Sequence, residues 1–203
     1  MSDNQVGTYK LVASPFHLDV RGKLSMGVLG KHLLNCADAY AAERGFDVVE
    51  QEGEHYTWVL SRLAIELEDL PSCHESFSIQ TWVENVYRLF ADRNFVICNK
   101  DEKPIGYVRS VWAMISMETR NPANLLGLYG DRITNSICEK ECPIAKPGRV
   151  KVSQQEAVSE YVAKYSDLDI NGHVNSIKYI EHILDIFPLD TYKKKDLKRF
   201  EIA

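Results

Sequence analysis

A chain of 203 residues with 45% hydrophobic and 26% charged residues has the make-up of a globular protein that can bury a sizeable core. Its net charge of −5 argues against a general nucleic-acid binder, and no stretch approaches the ~18 apolar residues that a membrane span requires. The N-terminal MSDNQVGTYK lacks a basic region followed by an apolar run, so no secretory signal is expected and a cytoplasmic location is the default.

Along the chain, Val6 to Val20 carries Tyr9, Leu11, Val12, Phe16 and Leu18, interrupted by Pro15, and is expected to be an extended opening segment with a kink. A helix follows. Ser25 is placed to cap it, Met26, Leu29, Leu33, Ala37, Tyr40 and Ala41 recur at steps of three and four, and Gly45 is placed to end it. From Tyr56 the pattern changes to β-branched and aromatic runs, Tyr56–Leu67, Glu75–Tyr87, Phe90–Asn99 and Ile105–Met117. Phe77, Ile79, Thr81 and Val83 alternate as in a half-buried strand. The apolar parity slips between Leu60 and Leu63, which predicts a bulge, and Asn99–Pro104 is a polar hairpin connection. One long helix and four antiparallel strands make an α+β arrangement, a sheet wrapped around a helix.

Glu118 to Pro147 loses strand periodicity and is expected to connect, with a short helix near Asn121–Tyr129. Ala157–Tyr165 is expected to be extended again. A second helix after Asn175 carries Ile177, Ile180, Leu184 and Phe187 as its apolar stripe and is closed by Pro188. The five cysteines are expected to be buried small hydrophobes. Cys138 and Cys142 lack a neighbouring pair to complete a zinc site, so no metal and no cofactor is expected.

At an offset of 150 residues the chain repeats itself. Asp19-Val-Arg-Gly-Lys-Leu-Ser25 falls on Asp169-Ile-Asn-Gly-His-Val-Asn175, His32 on His182 and Leu34 on Leu184. Where the first copy has Arg21, Lys23 and Ser25, the second has Asn171, His173 and Asn175. The second copy therefore holds a compact polar set, Asp169, Asn171 and His173, spaced by two so that extended backbone would project them to one side, just before a helix N-terminus. Judged on residue types alone, a turn with an N-cap accounts for this segment as well as an active site does. The basic run Lys193, Lys194, Lys195, Lys198 and Arg199 is either a solvated face or a docking patch for a small acidic partner.

Asp167-Leu-Asp-Ile-Asn-Gly-His-Val-Asn-Ser-Ile-Lys-Tyr179 resembles the D-L-D-x-N-x-H-V-N-N-x-K-Y motif of plant and bacterial acyl-ACP thioesterases, departing from it at Ser176. Trp58-Val-Leu-Ser-Arg62 with Ile65-Glu66 resembles the family's W-V-V-x-R segment, and Ile79-Gln-Thr-Trp-Val83 its E-T-W-V strand. Ile105-Gly106, Trp112 and Met117-Glu-Thr-Arg120 follow in the expected order. The resemblance implies a tandem (double) hot-dog fold: a first hot-dog over residues 5–120, a connector over 121–150 and a catalytic hot-dog beginning at 151–203, its second copy incomplete. It implies hydrolysis of fatty acyl-ACP to free fatty acid and ACP, with Asp169, Asn171 and His173 catalytic and a further acid or cysteine on a strand beyond residue 203.

The resemblance also implies two partners. Acyl carrier protein, acidic as a class, would dock on the Lys193–Arg199 run. The fatty acyl chain would lie in an apolar tunnel of the first hot-dog beside the helix bearing Met26, Leu29 and Leu33, residues whose default reading is core. A paired hot-dog meets its dimer-like interface within one chain and can still form a homodimer. An acyl-CoA or other small thioester hydrolase is the alternative within enzymes, and a non-catalytic acyl-binding or interaction module is the alternative outside them. No G-x-S-x-G elbow supports serine-hydrolase chemistry.

Overall fold

The computed structural model describes residues 5–51, 53–149 and 159–203. Strand β1 (Gly7–Val12) gives way to a 3₁₀ turn at Pro15–His17. The expected extended run to Val20 therefore stops early, because Pro15 takes the first turn of that helix, where its fixed φ and missing N–H cost nothing. Helix α1 (Met26–Glu43) starts where predicted, with the Ser25 hydroxyl accepting from the Val28 N–H. Gly45, at φ +69°, takes the left-handed position just past its end.

Strands β2 (Val49–Gln51), β3 (Glu54–Leu67), β4 (Ser76–Val86), β5 (Ala91–Cys98) and β6 (Pro104–Ser116) follow. They pair antiparallel in the order β1-β4-β5-β6-β3-β2. The parity slip predicted between Leu60 and Leu63 is a register shift between Leu60 and Arg62 against β6. One face of the sheet curls on α1: Met26, Leu29, Leu33 and Cys36 pack with Leu63, Ile65, Phe77, Ile79, Phe95, Ile97 and Val108. Each such aliphatic or aromatic side chain, buried whole, stabilises the fold by about 1.5–3 kcal/mol.

The connector contains α2 (Leu125–Tyr129) and α3 (Asp131–Thr134), which pack with Tyr40, Phe46, Val83 and Met114 beside α1, and its later residues cover the opposite face of the sheet. Trp82, Val96 and Cys98 bury against Cys138, Cys142 and Ile144. Arg109 fastens the connector, donating to the carbonyls of Cys142 (2.6 Å) and Ile144 (2.7 Å) and to the Glu84 carboxylate (2.6 Å). Burial of Glu84 opposes its ionisation, but the Asn94 amide, Arg109 and Lys146 outweigh that and hold its pKa below the ordinary 4.5. A depressed carboxyl stabilises the fold fully above its unfolded pKa and loses that contribution as pH falls through the folded one. Wild type should therefore melt above Glu84→Gln at pH 6, with the gap closing as pH drops below 4.5. A gap independent of pH in paired thermal melts would refute this.

Of the predicted extended segment Ala157–Tyr165, residues 157 and 158 lie outside the described residues. Ser159–Lys164 joins no sheet, and a 3₁₀ turn occupies Tyr165–Asp167. Helix α4 (Ser176–Asp185) is capped by Asn175, whose side chain accepts from the Ile177 N–H at 3.0 Å. It ends before the predicted stripe does: Ile177 and Ile180 are buried, whereas Phe187 is exposed and Pro188 opens a further helix, α5 (Leu189–Lys194). Strand β7 (Arg199–Ile202) pairs antiparallel with Glu66–Leu63, along the same edge of β3 that β2 occupies at its other end. Four cysteines are buried as expected. Cys73 is exposed, since it lies in the turn before β4 rather than in an apolar run.

The repeat is structural as well as sequential. The 3₁₀ turns at Pro15–His17 and Tyr165–Asp167, the glycines at φ +73° and +74°, and the caps Ser25 and Asn175 all correspond. Helices α1 and α4 pack on each other through corresponding faces. A Cβ on Gly27 would come within 2.2 Å of the Glu181 carboxylate, and one on Gly30 within 2.6 Å of Ile177. Mid-helix glycine costs about 1 kcal/mol against alanine, and here it permits this close approach.

Candidate active site

The polar loop of the second copy is shaped by Asp169. Its Oδ1 accepts from the backbone N–H of Asn171 (2.8 Å) and of His173 (3.0 Å), while its own N–H donates to the His173 carbonyl (2.8 Å). Gly172, at φ +74°, completes the turn. The expectation that extended backbone projects Asp169, Asn171 and His173 to one side is thus corrected: a tight turn folded on a carboxylate brings them together. Asp167, two residues earlier, is buried and accepts from the Lys164 N–H and the Tyr161 hydroxyl, anchoring the base of the loop.

In the first copy Asp19 makes the same turn, but the Arg21 side chain folds back onto its carboxylate (2.8 Å) and reaches Asp196 (3.2 Å). That loop is closed by an ion pair. In the second copy the corresponding Asn171 has an uncharged amide, and Asp169, Asn171 and His173 all line a cavity of about 470 Å³.

The cavity extends from this exposed loop into the first copy's interior, past Trp58, Leu60 and Trp112 to Phe46, Val83, Ala91, Arg93 and Ile133. Its size falls within the usual range for small-molecule sites, and its lining is mostly apolar. The α1 residues on its wall are Leu34, Ala37, Asp38 and Ala41. Met26, Leu29 and Leu33 fill the core, their default reading, and do not line the cavity. Both sets lie on the broad apolar face of one helix, and the cavity uses its next stripe round.

One contributor carried no expected role. Arg120, in the turn after β6, places Nη1 3.0 Å from His173 Nε2. A guanidinium only donates, so Nε2 accepts and the ring proton sits on Nδ1. Arg120 holds φ +61°, a left-handed conformation that costs a residue with a Cβ roughly 1–2 kcal/mol. Such strain gathers at functional sites. Val174, Asn175 and Ser176 bring the N-terminus of α4 to the cavity wall, where its backbone donors favour negative charge. No group of His, Cys, Asp or Glu among the described residues could hold a metal ion.

The basic run divides. Lys193, Lys194, Lys195 and Lys198 are exposed, with Lys193 3.7 Å from Asp190. Arg199 is half-buried in β7 and ion-paired with Glu66 and Glu201, so it is corrected out of the open patch. No helix among the described residues is long and apolar enough to cross a membrane.

The family profile "Acyl-ACP thioesterase N-terminal domain" matches residues 9–129, and "Acyl-ACP thioesterase C-terminal domain" matches residues 150–203. The chain belongs to the acyl-ACP thioesterase family. A crystal structure of an acyl-ACP thioesterase from Bacteroides thetaiotaomicron superposes with a TM-score of 0.91 at 58% identity, covering 99% of this chain and 81% of that one. The 12:0-ACP thioesterase from Umbellularia californica shares the fold, with a TM-score of 0.79 at 15% identity over 97% of this chain and 76% of its own. The architecture is therefore the α+β hot-dog of these thioesterases. A palmitoyl-acyl carrier protein thioesterase of Gossypium hirsutum is 25% identical over 170 residues, which is 80% of this chain and 41% of that protein. The chain thus spans about two fifths of that relative's length.

Proposed function

We propose that the protein hydrolyses fatty acyl-ACP to free fatty acid and ACP, with Asp169, Asn171 and His173 as its catalytic loop. The observation that carries this reading is the single cavity that joins the loop to the apolar interior of the first hot-dog. The acyl chain lies inside, and its thioester sits at the mouth.

A thioester suits direct attack by water because its leaving thiol is acidic, with a pKa of about 8.5. His173 takes the proton from that water: imidazole is the side chain suited to proton exchange near neutral pH, and its accepting Nε2 faces Arg120 at the mouth. The water displaces the exposed guanidinium from Nε2. The Asn171 amide holds the water or the carbonyl. A backbone N–H at the start of α4 that the Asn175 cap leaves unused receives the oxyanion, an effect worth about 3–4 kcal/mol for a well-placed donor. The proton returns to the departing thiolate. Asp169 acts on the backbone, keeping Asn171 and His173 in one turn.

Residues 5–120 thus hold the chain, 121–150 connect, and 151–203 open the catalytic copy. The five free thiols suit a reducing, cytoplasmic site of action. Acyl carrier protein docks on Lys193, Lys194, Lys195 and Lys198. Hydrolysis of acyl-ACP and acyl-CoA of one chain length tests the reading, with Lys194→Glu/Lys195→Glu alongside. The double reversal should raise KM for acyl-ACP several-fold and spare acyl-CoA. Equal effects on both would remove the docking site, and failure to hydrolyse either thioester would remove the activity.

A further inference from the structure

We propose that Arg93 forms a polar subsite in the buried interior of the acyl cavity, where it takes an oxygen-bearing group (hydroxyl, oxo or carboxylate) on the distal part of the acyl chain. This inference rests on the acyl-binding role given to the cavity above.

Arg93 lies on β5 in the same alternation as Phe95 and Ile97, the residues that point to α1. It is only 6% exposed and lines the cavity among Ala41, Phe46, Val83 and Ala91. Its guanidinium carbon stands 4.7 Å from the Tyr40 ring centroid and 6.0 Å from that of Phe46. Its Nη1 is buried without a hydrogen-bond partner, and no carboxylate pairs with it among the described residues. The nearby Glu43 is engaged by Arg44 and the Tyr9 hydroxyl, and Arg44 stacks on the same Tyr40 ring at 3.7 Å. The surroundings therefore leave Arg93 Nη1 without an acceptor. Burial lowers the Arg93 pKa to about 10, which still leaves it charged at neutral pH.

Aromatic faces offset only part of the cost of burying a cation. A chain ending in methyl would dry the pocket further and leave guanidinium donors unsatisfied, the least favourable state for a buried polar group. An oxygen at that depth supplies the missing acceptor. Sites built around a buried donor discriminate strongly against ligands that lack its partner.

S-alkyl thioether analogues of acyl-pantetheine bind without being hydrolysed, and their affinities can be measured by calorimetry. Across a series of chain lengths, each is offered with a methyl, hydroxyl, oxo or carboxylate end, to wild type and to Arg93→Met. At the length that reaches Arg93, an oxygenated end should bind roughly 10- to 100-fold more tightly than methyl, the range of a hydrogen bond to a charged group. Arg93→Met should erase or reverse that preference. The hydroxyl, oxo and carboxylate arms identify the group preferred.

Equal or better binding of methyl ends at every length overturns the proposal, as does a preference that survives Arg93→Met. The wild-type series decides the question alone if that variant does not fold. Methyl-ended chains that bind and are hydrolysed without preference sink the subsite and leave the thioesterase reading intact. Failure of every analogue to bind sinks both.

Discussion

Replacing His173 with alanine should lower kcat for acyl-ACP hydrolysis by about 10²- to 10⁴-fold, the usual contribution of a positioned general base, with KM changed little. The expectation of a nearly constant KM follows from the site's layout. His173 stands at the exposed mouth of the cavity, whereas the apolar walls that hold the chain belong to Trp58, Leu60, Trp112 and to Leu34, Ala37 and Ala41 of α1. Losing the proton acceptor there removes transition-state stabilisation and leaves ground-state binding in place. Structure should be spared, because the turn depends on the His173 backbone N–H and carbonyl, which alanine retains. Unchanged kcat with an intact melting curve would remove the imidazole from the mechanism.

Much of this arrangement could be read from residue order. Alternation in Phe77–Val83, the parity slip after Leu60 and the caps Ser25 and Asn175 are local signals, and each became the expected element. The repeat at 150 residues was legible because the turn requires Asp, Gly and a cap at fixed spacing, whatever lies around them. The wall of the cavity was not legible. Met26, Leu29 and Leu33 form as good an apolar stripe as Leu34, Ala37 and Ala41, and only the curl of the sheet decides which faces open space. Arg120 stood within a matched motif, yet its left-handed backbone and its contact with His173 depend on a partner 53 residues away. Arg93 sat in an alternating strand where an exposed polar position would have been the ordinary reading, and its burial is tertiary. Arg199 belonged to a run of cations by sequence but to a strand by pairing, since β7 finds its partner on β3.

Gly30→Leu should cost at least about 1–3 kcal/mol, the usual penalty for overpacking a filled interface, and should cut kcat/KM for acyl-ACP more than 10-fold although Gly30 does not line the cavity. Alanine at this position is the milder case: its Cβ meets only the tip of the Ile177 side chain, which can turn away, and the helix gains about 1 kcal/mol of propensity. Leucine cannot be accommodated without moving α4. Ile177 lies two residues after Asn175 and four after His173, so a shift of α4 carries the N-cap and the catalytic loop away from the cavity mouth. The effect should therefore fall on catalysis more heavily than a stability change of that size explains, measured well below the melting temperature. Ile177→Ala opens space for the leucine. The double variant should recover part of the lost activity, and its coupling energy should be of opposite sign to the single losses. Full activity in Gly30→Leu, or strict additivity in the pair, would mean that the packing of α1 on α4 does not position the loop.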